Sequence, residues 1–238
     1  MDPSFSSLAD AAARPYIPTG TYPWHFARGK LRRDPVFRHL LGQRLIPDSG
    51  RLLDLGCGYG VLMALLLAAR ACHVRGDWPT RWPAPPLNLD LRGLELRQDR
   101  AQAAQQALQG RARVDQGDIR HTELPPSAVI VILDVLLYLD NGEQRAVLAR
   151  AVHALQPGGV LLLREADAAA GWSFQVTRWS ARLADLRQGG LRRALHYRSA
   201  AHWTVLLQGL GLAVRAQPMS AGTPFSNVLF VARKPGGA

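Results

Sequence analysis

From Arg51 onward, short apolar runs alternate with segments of helical period, and this rhythm constrains the fold more than any other feature of the chain. "RLLDL" reads as a buried strand and "VLMALLLAARA" as the helix behind it. "LRGLEL" and "RQDRAQAAQQALQG" repeat the pair, with Gly110 placed as the helix stop. "RARVDQGD" is a third strand, and the almost wholly apolar "AVIVILD" is a fourth that suits burial on both faces. "NGEQRAVLARAVHAL" is a helix closed by "QPGG", and "VLLLREAD" is a fifth strand. "WSFQVTRWSARLADLRQGG" and "SAAHWTVLLQGLG" are helices ending in glycine, followed by a closing strand pair, "LAVRAQPM" and "NVLFVARK". Strands separated by helices pair in parallel through crossovers, whereas adjacent strands pair antiparallel. The expected class is therefore α/β: a mainly parallel sheet with helices on both faces and an antiparallel edge strand.

A chain of 238 residues, 47% of them hydrophobic, suffices for one buried core. No stretch approaches the roughly 18 uninterrupted apolar residues of a membrane span. "MDPSFSSLAD" lacks the basic start of a secretory signal, so a cytoplasmic location is expected. Cys57 and Cys72 make no disulfide framework, and no Cys/His spacing suggests a metal. The net charge of +11 comes from 29 basic and 18 acidic residues, the basic ones all arginine except Lys30 and Lys234. This favours an anionic partner, whether nucleic acid, an acidic carrier protein, an anionic small molecule or a lipid head group. Scattered as they are from Arg14 to Arg233, the arginines equally fit a solvated surface. Residues 1–34, rich in aromatics, proline and arginine, read as an extended arm ahead of a domain at 35–238. Within that domain the Pro/Trp-rich segment at 73–90 is a long insert of the kind that is often functional or mobile.

"RLLDLGCGYG" holds Gly56, Gly58 and Gly60 in a G-x-G-x-G spacing, with Asp54 ahead of them. A dinucleotide loop requires G-x-G-x-x-G, and a P-loop requires a G-K-[S/T] that does not follow. "LLDLGCGYG" resembles the first motif of the class I S-adenosylmethionine-dependent methyltransferases, which have a Rossmann-like fold. The resemblance implies S-adenosylmethionine as cofactor, held at Asp54, Gly56, Cys57, Gly58 and Gly60. It continues through "LRGLEL", where Glu95 would take both ribose hydroxyls beside Leu96. In "QGDIR" it implies Asp118 on the adenine amino group and the Ile119 amide on the ring. In "ILDVLLYLD" it implies Asp134 beside the methionine portion. Asp54 and Glu95 lie 41 residues apart, against about 20 in a compact unit. The Pro/Trp insert accounts for the excess and could line or cover the site; a second strand placed earlier would break the Glu95 assignment.

A methyl sulfonium is already electrophilic, so the protein's task is to align the acceptor and, for a hydroxyl, to remove its proton. The fourth strand is followed by "DVLL" rather than [D/N]-P-P-[Y/F], which argues against methylation of nucleic-acid amino groups. Ribose or ring methylation of RNA and a catalytically silent cofactor-binding protein remain alternatives. In the arm, Tyr22 and Trp24 are candidate aromatic walls for an aromatic or acyl substrate, Arg28 a candidate cation and His25 a candidate base. Stacking of nucleobases, or a strap packed on the sheet, would use the same residues. Glu165 and Asp167 follow the fifth strand at the carboxyl end of the sheet, where such folds bind ligands. His196 is a further candidate base and Tyr197 a further substrate contact, while His39 and His153 read as structural. The arm, "LLDLGCGYG" and "LREADA" together resemble the small methyltransferases of bacterial aryl-polyene pigment biosynthesis. That narrower resemblance implies secondary metabolism and a hydroxyaryl acceptor, free or tethered to an acidic acyl carrier protein that would suit the +11 charge.

Overall fold

In a computed structural model of the chain, residues 3–187 and 194–237 are described. The glycines expected to close the helix after the fifth strand, Gly189 and Gly190, lie outside them. Seven strands form a sheet in the order β3-β2-β1-β4-β5-β7-β6, and the chain divides into two compact units, Met1–Ile130 and Val131–Ala238.

In the first unit β1 (Ser49–Leu55), β2 (Asn88–Glu95) and β3 (Arg113–Gln116) pair in parallel, with Asp54 opposite Gly93 and Glu95 opposite Gln116. The second strand thus ends at Glu95, as the motif reading requires. Behind β1 stands α4 (Val61–Val74), which buries Leu62, Met63, Leu65 and Leu66. Helix α5 (Gln98–Leu108) turns Ala101, Ala104 and Leu108 inward at helical spacing. Its left-handed cap falls on Gln109 at φ 51°, with Gly110 following in the same region rather than making the stop itself.

The arm is helical, not extended. Helix α1 (Pro3–Ala13), a 3-10 turn (Arg14–Thr19), α2 (Thr21–Arg33) and α3 (Pro35–Gly42) occupy it. Phe5, Leu8, Ala9, Ala12 and Ala13 form one buried stripe on α1, which packs on α4. Asp10 of α1 joins Arg28 and Arg32, one turn apart on α2, at 2.9 and 2.5 Å. Asp34 caps α3 by accepting from the Val36 amide at 3.1 Å.

Residues 75–87 connect α4 to β2, and Ser49 pairs with Asn88, so this insert returns to the amino edge of the sheet. At about 3.3 Å per residue, the strand sets that edge roughly 20 Å from the glycine loop. The insert therefore does not cover the loop. It packs on α1 instead, Trp82 stacking on Phe5 at 5.9 Å and Arg81 donating to Ser4 Oγ at 3.0 Å.

The strand β4 (Ser127–Leu133) leads into the second unit. There β5 (Leu155–Ala166) pairs antiparallel with β7 (Asn227–Arg233), and β7 antiparallel with β6 (Ala213–Pro218). Helix α6 (Asn141–Ala154) opens on a capping box made by Asp140 and Glu143. Lys234 Nζ donates to the carbonyls of Val152 and Leu155 at its far end. Helices α7 (Trp172–Arg187) and α8 (Ala200–Gly209) follow, the latter capped by Ser199. Among the described residues no helix is long and apolar enough to cross a membrane, and no acid, His or Cys cluster could hold a metal.

A candidate cofactor site at the glycine loop

The loop after β1 is clipped to β2: the amides of Gly56 and Cys57 both donate to the Leu94 carbonyl, at 2.8 and 3.1 Å. Gly56, Gly58 and Gly60 lie at φ 74°, 57° and 71°, a left-handed backbone that glycine adopts without strain. Their roles differ. A Cβ on Gly60 would press on Leu108 at 3.1 Å and Ala104 at 3.3 Å, so this glycine lets α4 and α5 approach. A Cβ on Gly58 would meet nothing within 4 Å, so its backbone faces open space. Cys57 fills the crevice against Gly93, where a Cβ would come within 2.7 Å of its sulfur. Burial, then Asp54 and Glu95, push its thiol well up, which leaves it a neutral packing group.

Three acids stand at or just beyond the ends of the three strands. Asp54 is 4% exposed, and burial, then Glu95, push its carboxyl up to about 7. Among the described residues no hydrogen-bond donor reaches it. Glu95 accepts from the Gly58 amide at 2.9 Å and the Arg97 amide at 3.0 Å, one on each oxygen. Each oxygen keeps a lone pair for a hydroxyl. Leu96, beside it, is 49% exposed. Asp118 is gripped by Arg120 at 2.6 Å, a bond that holds its carboxyl below the usual range and competes with any adenine amino group. The Ile119 side chain is buried.

The arm reaches this loop. The hydroxyl of buried Tyr16 donates to the Tyr59 carbonyl at 2.7 Å. Tyr22 and Phe26, one turn apart on α2, place their rings 6.2 and 5.2 Å from that of Tyr59, and Arg100 stands 5.7 Å over it. Tyr22 and Phe26 are both exposed. Trp24 and His25 pack on each other at 4.5 Å. Arg28, expected to meet substrate, is bound to Asp10. Tyr59 and Arg100 were not singled out by the sequence reading; the i,i+4 spacing of Tyr22 and Phe26 is the signal a helical arm would have exposed.

In the second unit Asp134 adopts φ 60° and binds fully buried Arg164, whose Nε lies 2.9 Å from Oδ1 while a second nitrogen meets Oδ2. Glu165, expected to face an acceptor, is 2% exposed. Its Oε1 accepts from the amides of Val135 at 3.2 Å and Leu136 at 2.8 Å, and burial, then Asp134, push its carboxyl up to about 8. Asp167 is likewise committed to backbone, accepting from Ala169 and Ala200 at 2.9 Å each. Strand-end acids here satisfy the free amides of the following turns rather than facing outward. The backbone of His196 bonds Leu137 and Gln144, and the Tyr197 ring stands edge-on to Phe174 at 5.0 Å. Arg164 and buried Gln144 escaped the sequence reading, although an arginine inside "VLLLREAD" signals a buried acid partner.

Residues 24–217 match the family model described as a methyltransferase domain, and the chain belongs to that family. In fold and family it is a class I S-adenosylmethionine-dependent methyltransferase, with S-adenosylmethionine as the cofactor. It is 32% identical over 131 residues to carboxy-S-adenosyl-L-methionine synthase from Chromohalobacter salexigens, a match over 53% of this chain and 43% of the relative. The chain thus spans less than half of that relative's length. Among solved structures it resembles an O-methyltransferase family protein from Burkholderia thailandensis, at 19% identity and TM-score 0.63, over 89% of this chain and 58% of the other. The mitomycin 7-O-methyltransferase MmcR is 26% identical with TM-score 0.55, over 88% and 56%. The loop residues fit the cofactor: Asp54 is a buried carboxyl that meets no donor among the described residues, Gly58 is bare backbone, and Glu95 has lone pairs to spare.

Proposed function

We propose that the chain transfers the methyl group of S-adenosylmethionine to a hydroxyl on a small aromatic metabolite. The observation that carries this reading is the cluster of Tyr22, Phe26 and Tyr59 on the glycine loop, which offers aromatic faces beside the cofactor residues. The likeness to the mitomycin 7-O-methyltransferase supports it. When bound, the cofactor supplies an electrophilic methyl group. Asp54 accepts from its ammonium, Glu95 from its ribose hydroxyls, and Gly58 lets the backbone approach it closely. Tyr22 and Phe26 stack on the acceptor ring, and exposed His25, on the same helix, takes the hydroxyl proton.

A narrower form of the proposal makes the acceptor a hydroxyaryl pigment precursor presented by an acidic acyl carrier protein; the arm's sequence and the +11 charge favour it. A cytoplasmic location belongs to the same proposal, with Cys57 and Cys72 as free thiols in a reducing compartment. Methyl-radiolabelled cofactor offered with hydroxyaryl acids, free and carrier-bound, and with bulk RNA tests it. Label in the hydroxyaryl acids is expected; label in RNA alone would replace the acceptor. The 32% identical relative motivates a second reading, production of carboxy-S-adenosyl-L-methionine. Mass spectrometry of the spent cofactor separates the two, since a carboxylated cofactor without methyl transfer would overturn the first.

A further inference from the structure

The first unit contains a cavity of about 350 Å³ between the start of α1, the far half of α4 and the 75–87 connection. Phe5, Leu8, Ala68, Cys72, Trp78 and Trp82 form much of its wall. Cys72 lies about three helical turns along α4 from Gly60, roughly 18 Å at 1.5 Å per residue. The cavity is therefore separate from the glycine loop.

Its aromatic rings are set at defined angles. Phe5 and Trp82 stack at 5.9 Å with planes 11° apart, and Trp78 stands edge-on to Trp82, at 90°. The Trp78 indole is fixed by its Nε1 donating to the Pro83 carbonyl at 3.0 Å. Packed on one another in this way, the rings make a rigid aromatic wall, a surface suited to a flat apolar ring. Arg75 and Asp77 both line the cavity, the Arg75 Nε on Asp77 at 3.0 Å and both side chains more than half exposed. Such a screened pair is weak, so the guanidinium can turn to a ligand anion at little cost. Arg38 adds positive charge 6.0 Å from the Trp82 ring. An apolar, aromatic-lined cavity of this size with a few convergent polar groups has the make-up of a small-molecule site.

We propose that this cavity binds a planar aromatic carboxylate or sulfonate, at a site distinct from that of the methyl acceptor. The inference does not depend on the reaction proposed above. Naphthalene-2-carboxylate, titrated into the full chain, should quench tryptophan fluorescence saturably. With the same half-saturation it should slow iodoacetamide alkylation of Cys72, read by peptide mass, while alkylation of Cys57 stays unchanged. Ala68→Phe, which fills the cavity, should abolish both effects while retaining binding of S-adenosylmethionine. Arg75→Gln should weaken the carboxylate about tenfold, the equivalent of one charge-assisted bond, and leave the neutral naphthalene-2-carboxamide unaffected. Quenching without protection of Cys72, protection that survives Ala68→Phe, or no saturable binding would overturn the proposal. Equal loss of carboxylate and carboxamide in Arg75→Gln would overturn its anionic character. Protection of Cys72 is measured on the unaltered protein, so the test stands even if a variant fails to fold.

Discussion

Asp54 and Glu165 are buried carboxyls in different circumstances, and each makes a prediction. Asp54 has no donor among the described residues, whereas Glu165 anchors two turn amides. Asp54→Asn should leave the fold intact and weaken S-adenosylmethionine binding by about 1.5–3 kcal/mol, the usual worth of a bond to a charged group. Calorimetry measures this, and unchanged affinity would remove Asp54 from the site. Both acids titrate higher in the folded chain than unfolded: Asp54 about 7 against 3.8, Glu165 about 8 against 4.5. Between those values the folded state holds more protons, so stability is greatest below the unfolded pKa and falls as pH rises toward the folded one. The cofactor-free protein should melt progressively lower from about pH 5 to about pH 8. Glu165→Gln keeps an oxygen for the Val135 and Leu136 amides, and it should flatten that decline. Melting curves of equal slope in both proteins would show that the Glu165 carboxyl is not responsible.

At the scale of elements, the strands were legible because strands buried on both faces are written as continuous apolar runs, "AVIVIL" above all. The arm was not legible. Pro15, Pro18 and Pro23 mask its helical spacing, yet a 3-10 turn absorbs two of them and the first turn of α2 the third. Motif positions such as Asp54 and Glu95 stand where their order along the chain suggested. The fates of Glu165 and Asp167 were hidden because they depend on amides from distant turns. Tyr16→Phe breaks the bond that ties the arm to the loop, and it should cost about 1 kcal/mol in urea unfolding. It should also weaken cofactor binding, because the Tyr59 carbonyl loses its anchor. Gly93→Ala drives a methyl group to within 2.7 Å of Cys57 Sγ and Met63 Cε, and should destabilise by about 1–3 kcal/mol in the same assay. Unchanged unfolding in that variant would mean that the crevice has room the packing does not show.

Across the whole molecule, the +11 charge is what remains once every acid is counted, and many of those acids sit beside an arginine. Asp10 serves Arg28 and Arg32, Asp90 serves Arg51 and Arg92, and Arg75, Arg97, Arg113 and Arg120 each meet an aspartate two residues away. Each pair sets a carboxylate among the arginines, which breaks up the continuous positive strip a polyanion needs. Retention on heparin should therefore be lost by about 0.3 M salt, with the shallow salt dependence of few phosphate-like contacts. Retention well beyond that concentration would reveal a continuous basic face and revive RNA as a substrate.

The 75–87 connection leaves α4 and rejoins β2 at the edge of the sheet opposite the glycine loop. It can lengthen without shifting Asp54 or Glu95, because the register of β1 and β2 is set by their own pairing. A foreign peptide spliced beside Gly76, clear of the Trp82 and Arg81 contacts with α1, would ride the scaffold as a passenger. A lineage could likewise add a sensing device there without renegotiating its chemistry.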